Sequence, residues 1–357
     1  MYALPKKIEN LAPYIPDDVS GMVNLSANEG CFALSEKTFQ KVKEEILKVN
    51  FNRYPNTLAE NLIEAFSDFY KLDKNMVTAG NGSDELISLI LQTFLSKSDR
   101  YIILEPDFSM YAFYGRLLGI NFASLKKDLN TNKINFKFLK DYINQNNISA
   151  VIFSNPCNPT SLAENYEDVL DFVKSVSCLV VIDEAYMDFS KGSLLNDVSK
   201  LDNLIVLKTM SKAFCMAALR LGFAISNKTI TNVLRAAKSP YNVNTVSALI
   251  ASLALNDKKY VDSCINSTIS YRENLKKEIA KFSKIFDVDF KMFDSAANFL
   301  YIKTKRCKQI FEYLKTQNIL IRCFEKENAL RITVGNENEN KILSEKLKEI
   351  SRCENTK

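Results

Sequence analysis

The chemistry of this chain is concentrated in a short stretch, Leu207-Lys208-Thr209-Met210-Ser211-Lys212-Ala213-Phe214, followed by Leu219-Arg220-Leu221-Gly222. The apolar run Leu204 to Leu207 delivers a Ser-Lys pair into a loop, and an arginine follows eight residues after Lys212. A lysine at the end of a buried strand is partly desolvated, which lowers its pKa and makes its amine a nucleophile able to form a Schiff base with a carbonyl. Ser211 and Arg220 offer a hydroxyl and a guanidinium for a phosphate. A Schiff-base lysine beside a phosphate clamp is the requirement of pyridoxal phosphate. The ordinary alternative is a solvated loop lysine.

Other segments repeat the pattern of a polar group at a strand end. Gly80-Asn81-Gly82-Ser83-Asp84-Glu85 stands where a strand meets a helix, and free amides at a helix N-terminus favour phosphate. The plainer reading is a capped glycine turn. Val180-Val181-Ile182-Asp183-Glu184-Ala185-Tyr186 puts an acid at the carboxyl end of a buried strand, where open α/β sheets bind ligands. There Asp183 can keep a pyridine nitrogen protonated, and Tyr186 can reach a ring oxygen; the alternative is a strand-end carboxylate capping the next element. Ser154-Asn155-Pro156-Cys157-Asn158-Pro159-Thr160 carries two Asn-Pro steps that fix a loop and present Asn158. Arg322 and Arg331, on late adjacent strands, can bind carboxylate or phosphate, or simply form surface ion pairs.

Composition removes whole classes of mechanism. The chain has 357 residues and no histidine, which excludes Ser-His-Asp and Cys-His catalysis and histidine-ligated metals. Eight scattered cysteines without a Cys-x-x-Cys pair predict free thiols in a reducing cytoplasm, and no metal site. A net charge of +5 without a basic block gives no reason to expect nucleic acid. No apolar stretch is long enough to span a membrane, and residues 1–10 lack the core of a secretion signal.

The elements that must position these residues follow from periodicity. Residues 1–24 read as irregular, with Pro13-Tyr14-Ile15-Pro16 extended. Helices are expected at 35–49, 58–70 and from about 83 to 95. Short apolar runs at 76–79, 101–104, 150–153, 179–182, 204–207 and 221–225, with helices between several of them, predict a mostly parallel buried sheet of the seven-stranded type, an α/β fold. Helices at 228–237, 245–255 and 258–282 lead to strands at 288–293, 299–303, 319–323 and 330–334, interleaved with helices at 307–317 and 337–352. These divisions predict an N-terminal arm (1–30), a large cofactor-binding domain (31–255) and a small α+β domain (256–357).

Taken together and in order, these segments resemble the pyridoxal-phosphate-dependent aminotransferases of fold type I, and most closely the histidinol-phosphate aminotransferase family. The likeness covers nearly the whole chain. It rests on Pro13-Tyr14-x-Pro16, Ser26-Ala27-Asn28-Glu29, Arg53-Tyr54-Pro55, Gly80 to Glu85, Asp107-Phe108-Ser109-Met110-Tyr111, Asn158-Pro159-Thr160, Asp183-Glu184-Ala185-Tyr186, Ser211-Lys212 with Arg220, Ser239-Pro240-Tyr241-Asn242-Val243-Asn244, Ala297-Asn298-Phe299, Ile321-Arg322 and Leu330 to Gly335. The resemblance implies that Lys212 forms the Schiff base and carries the proton, Asp183 pairs with the pyridine nitrogen, and Asn158 and Tyr186 contact the ring hydroxyl. It implies that Phe108 stacks on the ring, where relatives often carry Tyr, and that Ser83, Asp84, Ser211 and Arg220 surround the phosphate. Tyr54 would reach that phosphate from the neighbouring subunit of a homodimer. Arg331 would bind an α-carboxylate, Arg322 a substrate phosphate, and Tyr14 and Asn28 the substrate.

The chain departs from the family pattern at Gly30-Cys31-Phe32-Ala33, where relatives continue with Pro-x-Gly-Pro, and at Ser161, Cys215 and Ala218, where glycine is common. The expected activity is amino transfer from glutamate to a small phosphorylated ketone, imidazole-acetol phosphate by family default, or another such as dihydroxyacetone phosphate giving serinol phosphate. The alternative is decarboxylation of an O-phospho amino acid, as in the related threonine-phosphate decarboxylases, which share the lysine, the arginines and a similar Ser26-Ala27-Asn28. A non-enzymatic regulator would carry a further DNA-binding domain, for which there is no room before Pro13.

Overall fold

The computed structural model describes residues 12, 13, 15, 18–283 and 290–354, with side chains to residue 350. Residues 14 and 16 of the extended arm expected at 13–16 lie outside the described residues, as do 288 and 289 of the strand expected at 288–293, of which Lys291–Met292 is strand. Among the described residues, thirteen strands can be labelled in chain order: β1 (Val23–Asn24), β2 (Val77–Gly80), β3 (Arg100–Glu105), β4 (Asn121–Lys126), β5 (Ala150–Ser154), β6 (Leu179–Asp183), β7 (Leu204–Thr209), β8 (Gly222–Ser226), β9 (Lys291–Met292), β10 (Phe299–Lys303), β11 (Ile319–Leu320), β12 (Arg322–Phe324) and β13 (Ala329–Thr333).

The large sheet has seven strands in the order β2-β8-β7-β6-β5-β3-β4. Only β8 runs against the others. Strands β5 and β7 are buried at every position and β6 at all but its first, because helices cover both faces of a parallel sheet. That double covering explains why these strands read as unbroken apolar runs. One face packs in a core that includes Ile102, Val151, Val180 and Val206; the other packs with Ile103, Ile152, Val181 and Ile205. Neighbouring residues alternate between the two cores as the pleat demands.

The parallel arrangement has a direct consequence for function. Strands β2, β3, β5, β6 and β7 all end at one edge, and the segments leaving them carry Ser83, Phe108, Asn158, Asp183 and Lys212. The reversed strand β8 starts at that same edge, which brings in Arg220 just before it.

A smaller four-stranded antiparallel sheet, β12-β13-β10-β9, packs its own core of Leu300, Ile302, Ile310, Leu330, Ile332 and Leu347. The 23-residue helix Lys258–Ala280 joins the two, with Val261 in the large core and Leu275 and Ile279 in the small one. Three features differ from the expected elements. The single strand expected at 319–323 is two: β11 pairs in parallel with β1, while β12 pairs with β13. Residues 23–24, expected as irregular, form β1, because Ile319 and Leu320 offer a distant partner that no local pattern announces. Edge strand β4 and the helix Phe136–Asn146 fill a stretch left unassigned. No helix among the described residues is long and apolar enough to cross a membrane.

Candidate active site

The site grows from the carboxyl edge of the large sheet. Thr209 ends β7, and its Oγ1 donates to Ser211 Oγ at 3.1 Å and accepts from the Ser211 amide at 3.2 Å, so the turn into Lys212 is tied to the strand. Lys212 Nζ donates to the Ala27 carbonyl at 3.1 Å and lies 5.9 Å from the Tyr186 ring centroid. Arg220 enters from the other side of the same loop. Its guanidinium reaches Ser211 Oγ at 3.5 Å, the Ala217 carbonyl at 3.1 Å and Asp84 Oδ2 at 3.6 Å.

Asp84 stands in the first turn of the helix Ser83–Phe94, which Gly82 precedes with no side-chain cap. The opening amides of that helix are therefore left for a ligand. Gly82 has φ +87°, and a Cβ there would lie 2.9 Å from Arg220 Nη2. Only glycine lets the arginine and the helix start close on one small space. Burial raises the Asp84 carboxyl against the lowering pull of Arg220 and Lys212.

Asp183, at the end of β6, is 4 % exposed. Its Oδ2 accepts from the Tyr111 hydroxyl at 3.0 Å and its Oδ1 from the Ala185 amide at 3.1 Å. Burial pushes it up to about 7, against those two hydrogen bonds and with the fields of Asp107 and Asp84 adding to the rise. Among the described residues no cation pairs with it. A buried carboxylate in this condition asks for a cationic partner.

The sequence Ser26-Ala27-Asn28 meets three of the expected site residues in turn. Arg331 Nη2 donates to the Ser26 carbonyl at 2.5 Å, Lys212 to Ala27, and Asn28 Nδ2 donates to the Tyr186 hydroxyl oxygen at 3.0 Å. Asn28 is itself held by Thr333, whose Oγ1 accepts from its amide at 3.0 Å and donates to its Oδ1 at 3.2 Å. Arg331 Nη1 also donates to Asn158 Oδ1 at 2.6 Å.

Arg322 is exposed, and among the described residues its side chain makes no hydrogen bond or ion pair; it stands directly opposite Arg331 in the β12–β13 register. Directly opposed residues of an antiparallel pair share a face, so two guanidinium side chains leave the small sheet together. Phe108 lies beside Tyr111, ring centroids 5.6 Å apart.

Tyr54 is 81 % exposed and stacks on Tyr241, ring centroids 4.6 Å apart. Tyr14 lies outside the described residues. Sequence reasoning passed over Tyr111, although it closes the Asp107–Tyr111 motif, and gave no part to Thr333 or to the carbonyls of Ser26 and Ala27, which no residue type announces. The unusual Gly30 loop packs on the loop after the lysine: a Cβ on Gly30 would lie 2.2 Å from Cys215 Sγ.

Comparison with known proteins gives this geometry its context. Residues 20–347 match the family described as aminotransferase class I and II. A histidinol-phosphate aminotransferase of Clostridium novyi (strain NT) is 36% identical over 340 residues, 94% of this chain and 93% of that protein. One from Clostridium kluyveri is 32% identical over 348 residues, 97% of each chain. The crystal structure of histidinol-phosphate aminotransferase from Sinorhizobium meliloti in complex with pyridoxal-5'-phosphate superposes with a TM-score of 0.87 at 18% identity, covering 99% of this chain and 98% of that one. The last likeness establishes the fold.

The residues present fit pyridoxal phosphate on three counts. A protonated pyridine nitrogen is the cation that buried Asp183 lacks. The uncapped helix start with Gly82, Ser211 and Arg220 suits a phosphate group. Lys212 offers an amine, at the Ala27 carbonyl and beside the Tyr186 ring. The chain belongs to the class I and II aminotransferases: it is a fold type I enzyme that moves amino groups with pyridoxal 5'-phosphate.

Proposed function

We propose that this enzyme exchanges an amino group between histidinol phosphate and 2-oxoglutarate, giving imidazole-acetol phosphate and glutamate. The observation that carries the reading is the opposed pair Arg322 and Arg331. Like charges directly across a strand pair repel, and an anionic ligand between them removes the cost. A phosphate on one substrate and the carboxylates of glutamate on the other meet that need in alternation. The names of the 36% and 32% identical relatives support the same substrate.

The cofactor supplies a carbonyl carbon for the amine and a ring that draws electrons from the substrate's α carbon. With that group bound, Lys212 would hold it through its amine, and the same amine would move the proton at the substrate's α carbon. Asp183 keeps the ring nitrogen protonated, and Tyr111 and the Ala185 amide hold that carboxylate in place. Tyr186 accepts from Asn28, which leaves its own hydrogen to donate to the ring hydroxyl, where Asn158 also reaches. Phe108 covers the ring face. Ser83 and Asp84 contribute helix-start amides to the phosphate, with Ser211 and Arg220; the Asp84 carboxylate itself serves to anchor Arg220.

Arg331 takes the α-carboxylate of glutamate, and Arg322 the phosphate of the other substrate. Tyr14 and Asn28 border the substrate. Exposed Tyr54 stands near Phe51 and Leu47 in sequence, which are 75 % and 86 % exposed, and this apolar surface suits a homodimer in which Tyr54 reaches the partner's phosphate site.

The test is a panel. Purified enzyme receives glutamate with imidazole-acetol phosphate or dihydroxyacetone phosphate, and 2-oxoglutarate is measured; O-phosphothreonine is run in parallel for carbon dioxide. Fastest turnover with imidazole-acetol phosphate supports the reading. Preference for dihydroxyacetone phosphate, or carbon dioxide released without a keto acid, overturns it.

A further inference from the structure

Lys127 follows β4, and Cys157 sits in the Asn-Pro loop after β5; amino transfer uses neither side chain. Lys127 Nζ lies 3.0 Å from Cys157 Sγ and 3.0 Å from Asp107 Oδ2. The side chains of Lys127 and Asp107 are 1 % and 2 % exposed, and Cys157 is buried too. Burial alone would lower the Lys127 ammonium, but the Asp107 carboxylate and the Cys157 thiol beside it hold it above the ordinary lysine range. Asp107 in turn binds the Phe108 amide at 2.8 Å, the Ser154 amide at 3.2 Å and the Ser154 hydroxyl. The amine and the thiol are therefore packed in contact, with a carboxylate on the amine to accept a proton, in a place where neither can turn away to water.

We propose that Lys127 and Cys157 form a covalent modification site, joined by oxidation with dioxygen through a single oxygen atom as a nitrogen–oxygen–sulfur bridge. The balance is one ammonium, one thiol and one dioxygen giving the bridge, one water and one proton. The O–O bond, the S–H bond and all but one of the ammonium N–H bonds break. An N–O and an S–O bond form. Nitrogen and sulfur are oxidised and dioxygen is reduced, one of its atoms leaving as water and the other staying in the bridge. The released proton passes through Asp107. Dioxygen is small and apolar and reaches a buried pair that charged oxidants do not.

Bridging removes the ammonium that balances Asp107. That carboxylate already adds to the rise of Asp183, so the oxidised protein should hold the cofactor's protonated ring nitrogen more tightly. This consequence rests on the proposed role of Asp183; the bridge itself does not.

The experiment follows mass and cofactor together. Wild-type holoenzyme, prepared with dithiothreitol, is freed of reductant and held in air-saturated buffer. Intact mass is measured under non-reducing conditions, the product is mapped by tandem mass spectrometry, and retained cofactor is read after gel filtration. The expected result is a gain of one oxygen less two hydrogens, localised to joined peptides carrying Lys127 and Cys157, absent in Cys157→Ser and reversed by dithiothreitol. Unchanged mass, oxygen added to Cys157 alone, or a gain that persists in Cys157→Ser overturns the site; if that variant does not fold, the wild-type peptide map decides. A bridge that forms without raising cofactor retention leaves the site standing and overturns the link to Asp183.

Discussion

Asp183→Asn should make the cofactor-free protein more stable at neutral and alkaline pH while weakening its hold on pyridoxal phosphate. In the folded apoprotein the Asp183 carboxyl is raised from 3.8 to about 7, first by burial. A carboxyl whose folded pKa lies above its unfolded value binds its proton more tightly in the folded state. Folding is therefore favoured at low pH, and the advantage is lost as pH climbs from 3.8 through about 7. Each pKa unit is worth about 1.4 kcal/mol, so the full loss is ~4 kcal/mol. Asparagine has the same shape and no charge. Its carbonyl oxygen can keep the Ala185 amide, and its amide can donate to the Tyr111 hydroxyl.

The assay is urea denaturation of wild-type and Asp183→Asn apoproteins across that pH range. The difference in unfolding free energy should grow with pH in favour of the variant, approaching ~4 kcal/mol above pH 7. Adding pyridoxal phosphate should restore the wild type more than the variant, because the ring nitrogen brings the missing cation. Two apoproteins whose stabilities run parallel with pH would refute the reasoning.

Three other outcomes follow from the same contacts. Arg322→Gln should raise KM for the phosphorylated substrate about 10- to 100-fold, the worth of a charge-assisted hydrogen bond, while leaving the half-reaction with glutamate near its original rate; stopped-flow measurement of the two half-reactions separates these. Lys208→Met should cost ~3–5 kcal/mol in urea denaturation, since Lys208 is 2 % exposed and stands between Glu184 at 3.5 Å and Asp188 at 3.2 Å. Mixing Lys212→Ala with Tyr54→Phe subunits should recover activity beyond the sum of the parts, because the hybrid dimer holds one intact site; strictly additive activity would count against a shared site.

The parts of the fold that were legible in the sequence are those with local causes. Strands β5, β6 and β7 are buried on both faces and read as apolar runs, and the polar residues just beyond them had to lie at one sheet edge. Strand β4 was not legible because it is an edge strand with a mixed pattern, Asn121-Phe122-Ala123-Ser124-Leu125-Lys126. The helix Phe136–Asn146 did leave a signal: Asn135 caps it, and Leu139 and Ile143 bury one stripe. Strand β1 depends on Ile319 and Leu320, almost 300 residues away.

The site shows the same division. Lys212, Asp183 and Arg220 stand out by type and place, whereas the Ser26 and Ala27 carbonyls matter only through the chain's path. Two departures from the family pattern, Ser161 and Cys215, sit at φ +62° and +57°. Both lie in the left-handed region that glycine adopts most readily, so the backbone takes these turns with a side chain present.

The most direct measurement is borohydride reduction of the holoenzyme followed by peptide mapping. Reduction fixes the cofactor to the amine that holds it. The label is predicted on Lys212, in the peptide that carries Ser211. Label on Lys208, Lys127 or any other lysine would contradict the placement of the reaction at the end of β7.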